Sequence, residues 1–273
     1  MEPTGDLRLR IGVSGQRSVA VDQFHTRALK VIRPHYLDDS GQVFYIIVNP
    51  GGGYVGGDYY RMDIGIDPGA SALLSDQAAT KVYRTPGCSV VQDVDFRISA
   101  GATLEYIPNP LILYEDAEYA QNITVEIEPD SSVFLSEIIT PGWSPDGRRF
   151  SYREARLKTV INLNTQPLVV DNLRLVPSDE FFPVAGEFYL GGCTHLASAI
   201  CLDPHVTEEV MQNVIKLVRD SGLRASVSRT DCPGFILRAL GTRSEDLMGL
   251  ILAAANLVRR TSRGQGAIDL RQN

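Results

Sequence analysis

Apolar and polar positions alternate in short runs from Leu7 to about Leu202. Examples are Leu7-Arg8-Leu9-Arg10-Ile11 and Asp63-Ile64-Gly65-Ile66, and Gly, Pro, Asn and Asp separate the runs. Period-two alternation bounded by turn formers marks half-buried strands, and the continuous apolar run from Val43 to Val48 has strand length. Three stretches also resemble one another: Asp63 to Ser75, Asp95 to Ile107, and Thr124 to Ser136. Each reads as an alternating strand, a tight turn (Pro68-Gly69, Ala100-Gly101, Pro129-Asp130) and a second strand. A fainter fourth copy runs from Thr159 to Val170, with its turn at Thr165-Gln166-Pro167. Units of this size, each exposing an apolar face, predict stacked coils or layered sheets in which neighbours complete the core. A plain series of antiparallel hairpins is the competing reading.

After Cys201 the period changes to that of a helix. Thr207 predicts an N-cap with Glu208 and Glu209 in the first turn, Val210, Met211, Val214, Leu217 and Val218 form one stripe, and Gly222 stops the helix. Thr242 and Glu245 predict a capping box for a second helix carrying Leu247, Leu250, Ile251, Ala254, Leu257 and Val258, with Arg259 and Arg260 in its last turn. Strands are expected between them, at Ala225 to Arg229 and Phe235 to Leu240. No linker composition separates the parts. The expectation is one domain over 1–273, with a β body at about 7–202, a strand and helix portion at about 203–262 packed on it, and a frayed tail at 263–273.

Composition narrows the function. The 273 residues are 44% hydrophobic and 22% charged, enough for a substantial core. The net charge of −7 has the wrong sign for phosphate neutralisation, so nucleic acid is not the expected partner. Arg outnumbers Lys by 22 to 4, a bias that suits protein interfaces. No run of 18 apolar residues and no secretory leader pattern occurs, which predicts a cytoplasmic protein without a membrane partner. The four cysteines form no Cys-x-x-Cys pair and are expected to be reduced.

Gly51-x-Gly53-x-x-Gly56 after an apolar run matches the glycine spacing of a dinucleotide loop, but a β-rich segment running into Pro68 follows it instead of a helix. Gly51, Gly52, Gly53, Gly56 and Gly57 are therefore expected to make a tight structural loop with positive φ or close backbone approach. Cys193 and His195, two residues apart, are candidate ligands for a transient metal ion, as less strongly are Cys201 and His205; two ligands do not make a structural site. With four His and no nucleophile-elbow or His-Glu-x-x-His setting, the sequence disfavours a hydrolase. Asp58, Asp63, Gln77, Thr80, Tyr83, Glu137 and Asp171 stand in apolar or turn-rich contexts. Each is either a solvated side chain or an interior group that needs a partner, a water-filled passage or an ion.

Three motifs in order carry a resemblance: Asn49-Pro50-Gly51-Gly52-Gly53-Tyr54-Val55-Gly56-Gly57-Asp58, Ser75-Asp76-Gln77-Ala78-Ala79-Thr80-Lys81-Val82-Tyr83, and Ser136-Glu137-Ile138-Ile139-Thr140-Pro141-Gly142-Trp143. Together they resemble the urease accessory protein UreD family, also called UreH. Trp143-Ser-Pro-Asp-Gly-Arg-Arg-Phe150 is similar to its Gram-positive-type variant, which leaves the role of Arg148 and Arg149 open. The resemblance implies a mainly β, helically wound, repeat-like stack of strands and hairpins with two α-helices in the C-terminal third. It implies a non-enzymatic maturation factor that binds a UreF-type accessory protein, recruits a UreG-type GTPase through it, and docks on apo-urease, with room for a second copy of the chain in the complex. No tightly bound cofactor is implied. Nickel(II) is transient cargo in a polar internal channel, for which Asp58, Asp63, Gln77, Thr80, Tyr83, Glu137 and Asp171 are the candidate lining residues. A channel suits several weak oxygen sites, since a tight cage would trap the ion.

Overall fold

A computed structural model describes residues 2–268 and Leu270. Two sheets face each other, and two helices cover the outer side of the second. The first sheet contains β1 (Gly5–Ser14), β2 (Arg17–Arg27), β5 (Tyr59–Ile66), β8 (Val90–Ile98), β11 (Glu118–Ile127), β13 (Glu154–Leu163) and β14 (Gln166–Leu175), in the order β14-β13-β11-β8-β5-β1-β2. The second contains β3 (Lys30–Val31), β4 (Val43–Val48), β6 (Ser71–Asp76), β9 (Thr103–Tyr106), β12 (Ser132–Ile139), β15 (His195–Leu202), β16 (Arg224–Arg229) and β17 (Gly234–Gly241). Two short strands, β7 (Thr80–Val82) and β10 (Leu111–Leu113), continue its coils.

The three repeats are successive coils. Asp63 pairs with Asp95 and Asp95 with Thr124 in the first sheet, while Ala72 pairs with Leu104 and Leu104 with Val133 in the second, all in parallel strands. Each turn is thus a corner between sheets, as at Gly69 and Gly101 where φ is +72° and +66°, and the hairpin alternative is excluded for these copies. The fourth copy differs. β13 and β14 form an antiparallel hairpin within one sheet, its turn lying at Asn164 and Thr165 with φ of +50° and +66°. An antiparallel return ends the coil stack at this edge, as the β1–β2 hairpin does at the other.

Alternation then sets two cores. Leu74, Leu104, Tyr106 and Leu135 of the second sheet meet Ile64, Phe96, Ile123 and Ile161 of the first, whereas Phe44, Leu73, Phe134 and Leu237 face the helices. α1 (Glu208–Asp220) begins as the sequence predicts, the Thr207 hydroxyl accepting from the Val210 N–H at 3.3 Å. α2 (Ser244–Arg263) does not form the expected capping box: β17 stays paired with β15 through Gly241, so Thr242 is still leaving the strand and Arg243 takes the N-cap without a side-chain bond. Leu257, expected on the buried stripe, is only half-buried, while Arg259 of the last turns is fully buried. Its guanidinium pairs with Glu105 and donates to the Gln42 Oε1 (2.6 Å) and the Gly266 carbonyl (2.8 Å); Arg263 bridges Glu105 (2.8 Å) and Asp203 (2.7 Å).

The stretch 263–268, expected to fray, is tied down instead. Gly266 N–H donates to Asp38 and Ile268 N–H to Asn256, both at 2.7 Å. Asp269 and residues 271–273 lie outside the described residues. No helix among the described residues is long and apolar enough to cross a membrane.

Candidate functional site

Within the largely apolar inter-sheet core, amide and carboxylate side chains gather along one band. In the first sheet, Gln92 and Gln121 occupy adjacent inward positions in register, between Tyr60 and Leu157. Opposite them, the inward series Ala72, Leu74 ends in Asp76, and Val133, Leu135 continues to Glu137. Alternation alone therefore aims two carboxylates and two amides into one interior.

These groups line a small cavity of about 30 Å³ together with Thr80, Tyr106 and Tyr119, room for about two waters. The Tyr119 hydroxyl donates to Gln92 Oε1 at 2.9 Å or to Gln121 Oε1 at 3.0 Å. Gln121 Nε2 donates to Glu137. Burial pushes Asp76 up to about 7, with no hydrogen bond or cation opposing it. Burial, reinforced by Asp171, also pushes Glu137 up to about 7, against the pull of the Gln121 hydrogen bond and of Arg238. The site thus has two carboxylates, neither ion-paired directly, beside tyrosines whose ionisation burial holds well above the ordinary value.

Asp76 and Thr80 also line a second cavity of about 280 Å³, whose walls include Asn49, Pro50, Gly52, Gly53 and Gln77. The polar band therefore continues from Glu137 to the glycine loop. On the other side, Tyr119 borders a 160 Å³ cavity with Ser89, Glu118 and Glu154.

The glycine loop is built as expected from close approach and positive φ. A Cβ on Gly53 would lie 2.5 Å from the Tyr83 ring, and Gly52 and Gly57 have φ of +78° and +87°. At Gly56 a Cβ would meet Thr85 Cα at 3.0 Å, while Gly51 N–H donates to the Asn49 Oδ1 at 2.9 Å. Strand β5 follows the loop directly, so no helix N-terminus stands there to hold a pyrophosphate.

The predicted residues divide. Glu137 and Thr80 line the inner cavity, Gln77 and Thr80 the outer one. Asp171 stands beyond Glu137, where its carboxylate pairs with Arg238 at 2.7 Å, and Arg238 also donates to Ser198. Asp58 is instead spent on the loop, accepting from Thr4 Oγ1 (3.1 Å), Val55 N–H (2.8 Å) and the Tyr60 hydroxyl (3.1 Å). Asp63 is on the outer face of the first sheet, ion-paired with Arg97, because it alternates out of phase with buried Met62 and Ile64. Tyr83 packs edge-on against Tyr114 beside the loop, ring centroids 4.8 Å apart.

Cys193 is half-buried against the inter-sheet core, and His195 Nδ1 lies 2.8 Å from Thr194 Oγ1, its basicity lowered by burial. Among the described residues, no three or more His, Cys, Asp or Glu side chains gather as a metal-holding group. Arg148, left open by the sequence, pairs with Asp146 and with Glu115 at 2.6 Å, and the Ser144 hydrogen bond, followed by those of Arg148, holds Asp146 at about 2. Sequence reasoning missed Asp76, Gln92, Gln121, Tyr106 and Tyr119. The signal was present, since Gln92 shares parity with Val90, Val94 and Phe96, and Gln121 with Tyr119, Ile123 and Val125.

Comparison with known proteins agrees with the ordered motifs. A family model described as UreD urease accessory protein matches residues 3–272. The chain is 44% identical over 272 residues to the urease accessory protein UreD of Actinomyces naeslundii, covering all of both chains. It is 41% identical to that of Arthrobacter sp. strain FB24, covering 99% of this chain and 94% of the relative. It is 33% identical to that of Bacillus cereus, over 94% of each. With its full length matched both by the family model and by relatives at this identity, the chain belongs to the UreD family of urease accessory proteins.

Proposed function

We propose that this protein is a cytoplasmic, non-catalytic scaffold of urease maturation, and that nickel(II) crosses its interior between the two sheets on the way to apo-urease. In this reading it binds a UreF-type accessory protein, gains a UreG-type GTPase through that protein, and docks on apo-urease. One observation carries the conduit: Asp76 and Glu137, without direct ion pairs, line a cavity with Thr80, and Asp76 and Thr80 also wall the neighbouring cavity beside the glycine loop. Carboxylate, amide and hydroxyl oxygens in series suit passage of a divalent cation, each site weak enough to release it. The two carboxylates also give the interior a negative field once ionised.

Co-purification from cells expressing the whole urease gene cluster tests the reading. Asp76→Asn with Glu137→Gln is expected to keep the UreF-type protein and apo-urease bound while urease activation falls. Normal activation with intact complexes would reduce the protein to a bridge, with nickel travelling elsewhere. Failure of the wild-type chain to bind either partner would remove the scaffold itself.

A further inference from the structure

The segment from Val176 to Thr194, between β14 and β15, holds aromatic rings in solvent. Phe181 and Phe188 are 85% and 87% exposed and Phe182 is 55% exposed. Phe182 and Phe188 meet edge to face, with centroids 6.4 Å apart. Full burial of one such side chain is worth about 1.5–3 kcal/mol, so three exposed together form a large unused apolar surface. Phe24 makes the contrast: at 45% exposure its ring already carries the Arg8 guanidinium, 5.1 Å from the centroid.

The backbone beneath these rings is pinned. Asp179 Oδ1 accepts from the Phe181 and Phe182 N–H groups at 2.9 and 3.0 Å. The Gly186 carbonyl accepts from Tyr189, Leu190 and Gly191 N–H at 2.9–3.1 Å. Val184 and Leu190 are buried in the inter-sheet core, and the Arg224 guanidinium donates to the Gly191 carbonyl at 3.2 Å. Two apolar anchors thus hold the loop down while its aromatic side chains point out, which lowers the ordering cost of docking.

Charge selects the occupant. The loop carries Asp179, Glu180 and Glu187 and no Lys or Arg of its own; Arg174, beside Asp179 and Tyr189, and Arg224, on the Gly191 carbonyl, stand at its base and leave the acids in excess. A second copy docking by two-fold symmetry would bring two such acidic loops together on chains of net charge −7. Anionic lipid and nucleic acid are repelled for the same reason. We infer that the 176–194 loop is a docking hot spot for a different protein, one presenting an apolar pocket rimmed by Lys and Arg, with Phe181 and Phe188 as anchors and Glu180 and Glu187 as rim charges. The loop borders none of the cavities of the polar band, so this inference does not depend on nickel passage.

A photo-crosslinking residue, p-benzoylphenylalanine, placed at Phe188 of the tagged chain tests it in cells expressing the whole urease gene cluster. The expected adduct joins another protein of that cluster at an apolar segment flanked by Lys or Arg. Phe181→Ser with Phe188→Ser should weaken co-purification of that protein about tenfold or more, the factor for losing one hot-spot contact. The unfolding midpoint should not move. Glu180→Lys with Glu187→Lys, which keeps both rings, should weaken it chiefly at low salt. An adduct only to a second copy, no adduct, or unchanged co-purification by the serine variant overturns the inference, while leaving the interior passage to its own test.

Discussion

Carboxylates occupy both faces of the second sheet, fully buried on one and half-buried on the other, and the two faces treat them differently. On the helix side, Glu105 accepts from Arg259, Arg263 and Gln42, and Asp203 accepts from Arg263. Cation and anion are buried together, so this network fixes α2 against β9 and also ties in Asp38 and the chain after the helix. On the inter-sheet side, Asp76 has no cation and Glu137 has only an amide donor and the nearby Arg238. A charge matched within the chain is structure; a charge left unmatched beside a cavity is available to a cation from outside.

The comparison can be broken most forcefully at Glu105. Glu105→Ala leaves Arg259 buried without its main partner and should cost about 3–5 kcal/mol, read as a lower denaturant midpoint. Substituting an unmatched carboxylate should do the opposite of harm. Asp76 and Glu137 bind protons more tightly folded than unfolded, so their contribution is favourable below about pH 4 and is lost as pH rises to about 7. Asp76→Asn with Glu137→Gln should therefore flatten the decline in stability across that window and leave the chain with a higher denaturant midpoint than the wild type at pH 8.

Smaller changes sharpen the contrast. Thr207→Ala removes the α1 cap and should cost about 1 kcal/mol without altering urease activation. Asp63→Asn removes the surface ion pairs with Arg97 and Arg61 and should change the unfolding free energy by less than about 1 kcal/mol, again with normal activation. A large activation defect from Asp63→Asn would mean that the outer face of the first sheet, and not the interior, conveys the ion.

The coil repeat was legible because identical parity and turn spacing recur, and the pairing of Asp63 with Asp95 and Asp95 with Thr124 follows the sequence alignment residue for residue. The fourth copy was misread because a hairpin and a corner share the same local pattern, and only the pairing partner tells them apart. Thr207 was readable as a cap because nothing tertiary competes there, whereas strand pairing through Gly241 displaced the predicted start of α2. Glu137, singled out by its place in an apolar run, lines the inner cavity. Asp63 stands in an equally apolar context but its parity points outward, and Gln92 and Gln121 were missed although their parity points inward. The Arg259 network joins positions far apart in the chain, which no local pattern encodes.

The most direct test of the interior conduit is the nickel content per active site of urease purified from cells carrying the Asp76→Asn, Glu137→Gln chain, measured beside Asp63→Asn. The account predicts urease largely empty of nickel with the interior double variant and filled normally with Asp63→Asn, both chains remaining in the complex. Full nickel occupancy with the interior variant would contradict it.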